Sequence, residues 1–203
     1  ILSSIVSGRQ VDFEDIYTEG ITKITAQDMR YAKEMNMVIK LLATMKQEDG
    51  TIGAIVAPFL LHSEHPLASV HGVFNAIFVR GNALGDSMFY GSGAGKMPTA
   101  SAVTADIVEA ARYQDRTICE YWSGNKMELK SRMDVKRKFF IRMAGRKEAY
   151  ADRIREAFGE VQYLTADGCE GEFAFVTGEI KEGKYESAAA EFGNLIHMIR
   201  VAS

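Results

Sequence analysis

The sequence predicts an α/β protein of the α+β kind, in which a mixed β-sheet with helices on one face is followed by a ferredoxin-like domain of βαββαβ order. Three observations predict this fold. Strand-like and helix-like runs alternate through the first half of the chain. A loop with three glycines joins a strand-like run to an amphipathic helix, and the last third has its own regular order of elements. With 203 residues, the chain can form one large domain or two small ones.

The first helices are predicted from their capping residues. Residues 1–8, ILSSIVSG, have the pattern of an apolar helix that ends near Gly8, because glycine commonly follows a helix. The chain therefore opens inside a helix, and we expect it to be part of a longer protein. Thr25 is a suitable N-cap, with Asp28 three positions later, for a helix from Ala26 to Met35.

The strands of the first domain follow from β-permissive runs between turn signals. They are predicted over residues 38–45, 52–61, 72–80 and 87–90. The segment Glu48-Asp49-Gly50-Thr51 is a hairpin signal between the first two. Apolar residues at helical spacing predict a helix over residues 99–113, with Pro98 in its first turn. The charged residues 115–137 are predicted to be a linker.

The last third of the chain has the order strand, helix, strand, strand, helix, strand. The predicted elements span residues 139–143, 147–158, 160–164, 172–178, 184–195 and 196–201. This is the split-βαβ, ferredoxin-like arrangement. The predicted domains are therefore residues 1–114, a linker over 115–137, and a second domain over 138–203.

Composition excludes several classes of protein. A net charge of −3 gives no reason to expect nucleic acid or an anionic membrane as a partner. The two cysteines, Cys119 and Cys169, are far apart and lack further ligands at metal spacing, so we expect reduced thiols, no disulfide framework and no metal site. No apolar run reaches the length of a membrane span, and we expect a cytoplasmic protein.

The loop with Gly91, Gly93 and Gly95 has three mechanistic interpretations. It fails as a phosphate-binding Walker A loop because Met97 follows Gly95-Lys96 where Ser or Thr is needed. It also fails as a dinucleotide-binding fingerprint, which needs glycine where Lys96 stands. A loop that touches a cofactor bound elsewhere remains, beside the simpler interpretation of a tight structural connection.

The remaining polar residues do not form a recognisable active site. His62, His65 and His71 lie around a turn, and a structural role is favoured over metal binding. Glu19 and Asn75 are polar residues within apolar runs, and we interpret both as hydrogen-bonded structural groups.

Residues 1–111 nevertheless resemble the second half of homoserine dehydrogenases. The resemblance rests on EGI at residues 19–21, HPLASV at 65–70, VFNAI at 73–77 and YGSGAGKMPTASAVTAD at 90–106, in that order. Residues 139–203 are similar to the ACT domain that many bacterial members carry at this place. The family begins with an NAD(P)-binding domain, which the resemblance places before Ile1.

The resemblance implies an oxidoreductase that transfers hydride between NAD(P)H and aspartate semialdehyde to give homoserine, in threonine and methionine biosynthesis. The family's acid/base lysine lies before the segment that resembles ILSS, so no catalytic residue carries over to this chain, and we expect the chain alone to be inactive. Gly95 matches a glycine that contacts the nicotinamide cofactor, with Gly93, Ala94 and Thr99 as neighbours. Either NAD or NADP fits the resemblance.

The family also implies a homodimer, or a higher oligomer through the ACT-like domain. That domain departs from the family pattern, because Ala144-Gly145-Arg146-Lys147-Glu148 replaces the usual Asp-x-Pro-Gly of the effector site. Threonine regulation and a purely structural or dimerising role therefore both remain open. The alternative for the whole chain is a non-catalytic module that binds an amino acid or mediates oligomerisation.

Overall fold

The structure, a computed structural model, describes residues 1–48, 50–116 and 121–202. The helices are α1 (Leu2–Ser7), α2 (Ala26–Glu34), α3 (Lys96–Arg112), α4 (Ala151–Phe158) and α5 (Glu182–Ala189). The strands are β1 (Arg9–Gln10), β2 (Tyr17–Thr18), β3 (Met37–Glu48), β4 (Thr51–His62), β5 (Phe74–Gly81), β6 (Gly85–Ser92), β7 (Ser123–Lys126), β8 (Lys136–Ala144), β9 (Val161–Leu164), β10 (Glu172–Thr177), β11 (Ile180–Lys181) and β12 (Leu195–Val201). The predicted α/β fold with a mixed sheet is confirmed.

The chain divides into two compact units. The larger unit comprises residues 1–62 and 122–203, and the smaller unit comprises residues 63–121. This grouping does not follow the predicted domains 1–114 and 138–203, whose boundaries stay a prediction.

The larger unit is built on one mixed sheet. Four of its strands lie in the order β12-β8-β10-β9, all antiparallel, which is the order of the predicted ferredoxin-like arrangement. The sheet continues beyond β12, because β12 pairs in parallel with β4 through Arg200 opposite Phe59 and Val201 opposite Leu60. β4 also pairs with β3 along its whole length and with β2 near its middle. The C-terminal module and the β3–β4 hairpin therefore share one sheet.

Both faces of this sheet are covered. On one face, α4 and α5 pack through Ile154, Phe158 and Tyr185 against alternate residues of β8 and β10. On the opposite face, Tyr31 and Ala32 of α2 pack against the intervening strand residues, which include Phe140, Ala174 and Ile199. Because neighbouring strand residues point to opposite faces, β8 and β10 are apolar on both sides.

Several predicted boundaries differ from the structure. The predicted helix over 184–195 is α5, which begins earlier at Glu182 and ends at Ala189. The predicted linker contains β7, which pairs with β1, and Met127, which is buried with Val11 and Ile52. The sequence of β7, SGNK, has no β-propensity, so its pairing depends on a tertiary contact. Residues 49 and 117–120, which include one residue of the predicted hairpin turn and Cys119, lie outside the described residues.

The smaller unit consists of a short 3-10 turn, the β5–β6 hairpin and α3. The hairpin pairs Phe74 with Ser92 at one end and Gly81 with Gly85 at the other. On one face of the hairpin, Phe74 stacks on Tyr90 and Phe78 lies against His65. On the other face, Ile77 and Phe89 are opposite each other and are 49% and 68% exposed. Among the described residues, this second face is therefore an exposed apolar surface.

None of the helices in the described part of the chain is both long enough and apolar enough to cross a membrane.

Candidate functional site

The glycine loop between β6 and α3 holds the four residues for which the sequence predicts a cofactor contact. Gly93, Ala94 and Gly95 follow the end of β6 directly, and Gly95 is the N-cap of α3. The backbone N–H of Thr99 donates to the carbonyl of Gly95, with 3.1 Å between nitrogen and oxygen. All four residues are exposed. The structure therefore brings them together at one accessible helix start.

Gly95 has a backbone conformation that other residues rarely adopt. Its φ is 119° and its ψ is 157°, a region that is essentially restricted to glycine. A Cβ at this position would meet only Pro98, at an ordinary contact distance of 3.5 Å from Cδ. Backbone geometry, rather than lack of space, therefore requires glycine here.

Gly93 is glycine for a different reason. A Cβ on Gly93 would lie 2.0 Å from Nδ2 of Asn75, so the amide side chain of Asn75 occupies the place of a side chain at Gly93. Asn75 lies on β5, opposite Gly91 of β6. The hypothesis that Asn75 is a structural group agrees with this contact, because the amide packs against the loop that leads to α3.

The chemistry available at the loop is that of backbone and helix dipole. The first amides of α3 belong to Lys96 and Met97, and a helix N-terminus favours negative charge. Lys96 is exposed, and no pair of side chains suited to proton transfer is assembled among the four candidate residues. The loop can therefore contact a phosphate or a polarised ring, and its four candidate residues supply no acid/base pair.

The helix that follows the loop is apolar on its exposed surface. Within α3, which is fully described, every side chain is exposed or half-buried. Val103 and Ile107, one turn apart, are 53% and 63% exposed, and Val108 is 42% exposed. An apolar helical stripe of this kind is typical of a surface that packs against another element.

His65 has a structural role in the smaller unit. Its Nδ1 accepts a hydrogen bond of 3.1 Å from the backbone N–H of Leu67 and so caps the 3-10 turn over Pro66–Ser69. Its ring centroid lies 4.7 Å from that of Phe78. Burial and the nearby guanidinium of Arg80 lower the pKa of His65. These contacts account for His65 without a metal ion.

A buried charge cluster connects α2 with β8 and β10 in the larger unit. Nη1 of Arg142 donates to Asp28 Oδ1 at 2.7 Å, and Nη2 donates to Glu172 Oε2 at 2.6 Å. Asp28 also accepts the backbone N–H of Thr25, which completes the predicted capping box, and lies 3.0 Å from Nδ1 of His197. Burial alone would raise the pKa of Asp28, but the hydrogen bonds from His197, Arg142 and Thr25 outweigh it and hold that pKa far below its ordinary value.

A second buried cluster surrounds Arg200 on the other face. Its guanidinium makes three hydrogen bonds to the carboxylate of Glu182, the shortest of 2.6 Å, and one of 2.8 Å to Glu19. Arg132 donates to Glu182 as well and contacts Glu186 at 2.6 Å. The hypothesis that Glu19 is structural agrees with this pairing. Sequence reasoning missed both clusters, although Arg142 and Arg200 are charges within apolar strand runs, which was a signal for buried partners.

A cavity of about 560 Å³ opens beside the first cluster. It is lined by residues 145–148, 163–165 and 171–173. The first segment follows β8, the second is the end of β9, and the third is the start of β10. The loop with Arg146 and Lys147 therefore forms one wall, and Glu172 belongs to another. This is the loop in which the expected Asp-x-Pro-Gly is missing.

Comparison with known proteins places this geometry in a family. A sequence profile described as homoserine dehydrogenase matches residues 1–108. The chain is 50% identical to the homoserine dehydrogenase of Corynebacterium glutamicum over 117 residues, which cover 55% of this chain and 26% of that protein. It is 33% identical to the homoserine dehydrogenase of Synechocystis sp. over 218 residues, which cover 96% of this chain and 50% of that protein.

Solved structures of homoserine dehydrogenases match the fold of this chain over its whole length. A homoserine dehydrogenase from Thiobacillus denitrificans matches all of it with a TM-score of 0.84 and 29% identity, and the match covers 51% of that protein. The S. aureus homoserine dehydrogenase at pH 6.0 matches with a TM-score of 0.77 and 26% identity over 52% of its length. The chain thus spans about half the length of these two solved relatives and of the Synechocystis protein. On the profile match to residues 1–108, this chain belongs to the homoserine dehydrogenase family.

Proposed function

We propose that this chain is the C-terminal part of an NAD(P)-dependent homoserine dehydrogenase, which reduces aspartate semialdehyde to homoserine in threonine and methionine biosynthesis in the cytoplasm. The observation that carries the proposal is the family match over residues 1–108 together with a structural match over the whole chain at a TM-score of 0.84. The reaction is a hydride transfer, and its acid/base group lies outside this chain. The chain alone is therefore expected to be inactive.

In this proposal the glycine loop completes the cofactor site. Gly95, with Gly93, Ala94 and Thr99 around it, would present backbone to the nicotinamide end of NAD or NADP held by a preceding domain. The φ of 119° at Gly95 and the exposure of the loop support this role. The exposed stripe with Val103 and Ile107 on α3 would pack against that domain.

A chimera tests the proposed function. The chain would be joined to the preceding half of the Corynebacterium glutamicum homoserine dehydrogenase, in place of the region that it matches. We expect the chimera to oxidise homoserine with NADP or NAD, and the chain alone to show no turnover. A chimera that folds and binds the cofactor but has no activity would contradict the proposal, as would turnover by the chain alone.

We also propose that the chain forms a homodimer through its first predicted domain, residues 1–114. The uncovered face of the β5–β6 hairpin, with Ile77 and Phe89, supports this proposal because apolar surfaces of this kind mark protein contacts. Light scattering at micromolar concentration is expected to give the mass of a dimer, and Ile77→Asp the mass of a monomer. Asn82→Asp, in the exposed turn of the same hairpin, is the control and should remain dimeric.

The C-terminal module is proposed to act as an ACT-like structural or dimerising domain rather than as a threonine sensor. The cavity wall formed by Gly145, Arg146, Lys147 and Glu148 lacks the Asp-x-Pro-Gly of the effector site and supports this proposal. We expect millimolar L-threonine to leave the melting temperature close to its value with L-alanine. A clear rise with threonine alone would establish binding, because a ligand of the folded state raises its stability by mass action.

A further inference from the structure

The loop between β9 and β10, residues 165–171, lies against α2 on one side. Nη1 of Arg30, on α2, donates to the carbonyl oxygen of Gly168 at 2.6 Å and approaches that of Asp167 at 3.5 Å. Gly168 has a φ of +72°, and a Cβ there would lie 2.0 Å from the same nitrogen of Arg30. The glycine thus allows both the turn and the close approach of α2.

Two further residues of α2 are connected to the same region, one directly and one through Arg142. Tyr31 is buried in one apolar cluster with Cys169, which lies in the middle of the loop. Asp28 is connected through Arg142 to Glu172, the first residue after the loop. Arg30 and Tyr31 of α2 therefore contact the loop directly, and Asp28 is linked to the residue after it through Arg142.

The two ends of the loop form part of the cavity beside β8. Thr165, Gly171 and Glu172 all line that cavity. The carbonyl of Gly171 accepts a 2.8 Å hydrogen bond from the backbone N–H of Gly145, which begins the other wall. A continuous set of contacts therefore runs from α2 through the loop to both walls of the cavity.

We propose that the 165–171 loop is a coupling element that ties the conformation of the cavity walls to the stability of α2. A group that enters the cavity and displaces Glu172 removes one of the two carboxylates that hold the Arg142 guanidinium. Arg142 then holds Asp28 less firmly, and the first turn of α2 loosens. Thermodynamic linkage makes the coupling reciprocal. A change in α2 that releases Gly168 should therefore also change the cavity walls. The proposal depends on contacts within the larger unit and does not depend on the proposed function.

The first test perturbs α2 and measures the cavity wall. Arg30→Ala removes the contact to Gly168 from an exposed side chain, so the fold should persist. Residue-resolved amide exchange is expected to speed up roughly tenfold at Gly145, which does not contact Arg30, because one charge-assisted hydrogen bond is lost. Lys33→Ala, on the same helix and exposed, is the matched control and should leave Gly145 unchanged. Faster exchange confined to α2 and residues 167–168 would overturn the proposal.

The second test perturbs the cavity side and measures α2. Glu172→Gln removes the carboxylate that holds Arg142, while Glu170→Gln changes an exposed carboxylate of the same loop. We expect faster exchange at Met29, whose N–H donates to Thr25 in the first turn of α2, only in Glu172→Gln. Equal exchange at Met29 in the two variants would overturn the coupling. Unchanged exchange in the α4 and α5 amides shows that the variants remain folded.

Discussion

Gly93 and Gly95 stand two positions apart in the sequence and are fixed by different physical demands. The amide of Asn75 fills the space next to Gly93, whereas Gly95 has backbone angles that a Cβ would strain. The family motif predicted Gly95 as a site residue, but it could not reveal the contact between Asn75 and Gly93. That contact depends on the register of β5 and β6, which a single sequence does not specify.

The replacement Gly95→Ala is expected to destabilise the start of α3. Since φ at Gly95 is 119°, an alanine there costs about 1–3 kcal/mol of strain or forces the loop to change. Gly91→Ala is the matched control, because a Cβ at Gly91 would meet open space. Urea denaturation followed by circular dichroism would compare the two variants. A loss of stability at Gly91 equal to that at Gly95 would contradict the explanation.

Asp28 should make the larger unit sensitive to acid. Its pKa in the folded state lies below the ordinary value of 3.8, so its stabilising effect is complete above that value and is lost as the pH falls below it. Asp28→Asn should destabilise the protein by about 3 kcal/mol at pH 7, because Arg142 loses a buried partner, and should reduce the fall in stability below pH 4. Denaturation at a series of pH values measures both effects.

The control for Asp28 is Asp152→Asn, which changes a carboxylate whose side chain is 96% exposed. It should leave both the stability at pH 7 and the acid slope unchanged. The pKa of Glu182 is also lowered, because the hydrogen bonds and charges of Arg200 and Arg132 outweigh the opposing effect of burial. Some acid sensitivity should therefore remain in Asp28→Asn. If Asp28→Asn loses stability below pH 4 as steeply as the unmodified chain, Asp28 is not the cause of the acid sensitivity.

At the scale of elements, the parts with strong local signals were predicted and those that depend on distant contacts were not. The capping box at Thr25 and Asp28 and the glycine after α1 predicted two helices, and both are confirmed. The two-residue strands and β7 carry no hydrophobic period of their own, so they could not be seen before their partners were known. The pairing of β12 with β4 joins segments that lie far apart in the sequence, and no local pattern encodes it.

The junction of β12 and β4 can be tested at its last hydrogen bond. The backbone N–H of Ala202 donates to the carbonyl of Leu60 at 2.8 Å. Ala202→Pro removes this donor and should lower the free energy of unfolding by about 1–3 kcal/mol, because the Leu60 carbonyl loses its partner beside a buried side chain. Ala202→Gly keeps the N–H and is the control. If the two variants have the same free energy of unfolding, this hydrogen bond of the junction contributes nothing measurable to stability.

At the scale of the whole molecule, the C-terminal module depends on residues that come before the smaller unit. Phe140, Ala174 and Ile199 lie on a sheet face that α2 covers, and the β12 edge is taken by β4. In an isolated βαββαβ module this face and this edge would be exposed to water. The larger unit is therefore expected to unfold as one cooperative body.

A piece that contains only residues 138–203 should fail to fold by itself. Loss of α2 exposes the apolar face, and loss of β4 leaves β12 as an unpaired edge. The piece is expected to show no cooperative thermal transition and a poorly dispersed amide spectrum, whereas the whole chain shows a cooperative transition. A sharp transition and a dispersed spectrum for the piece would establish 138–203 as an independent domain.

The parallel pairing of β4 with β12 also affects how the protein is made. The ribosome adds residues one by one, so Phe59 and Leu60 emerge long before their partners Arg200 and Val201. At ordinary rates of translation the delay is on the order of ten seconds. During that time β3 protects one edge of β4 and β2 covers part of the other. The hydrogen-bonding groups at Phe59 and Leu60 stay exposed on a strongly apolar strand. Chaperone dependence during synthesis should therefore be greatest for chains that have not yet reached β12.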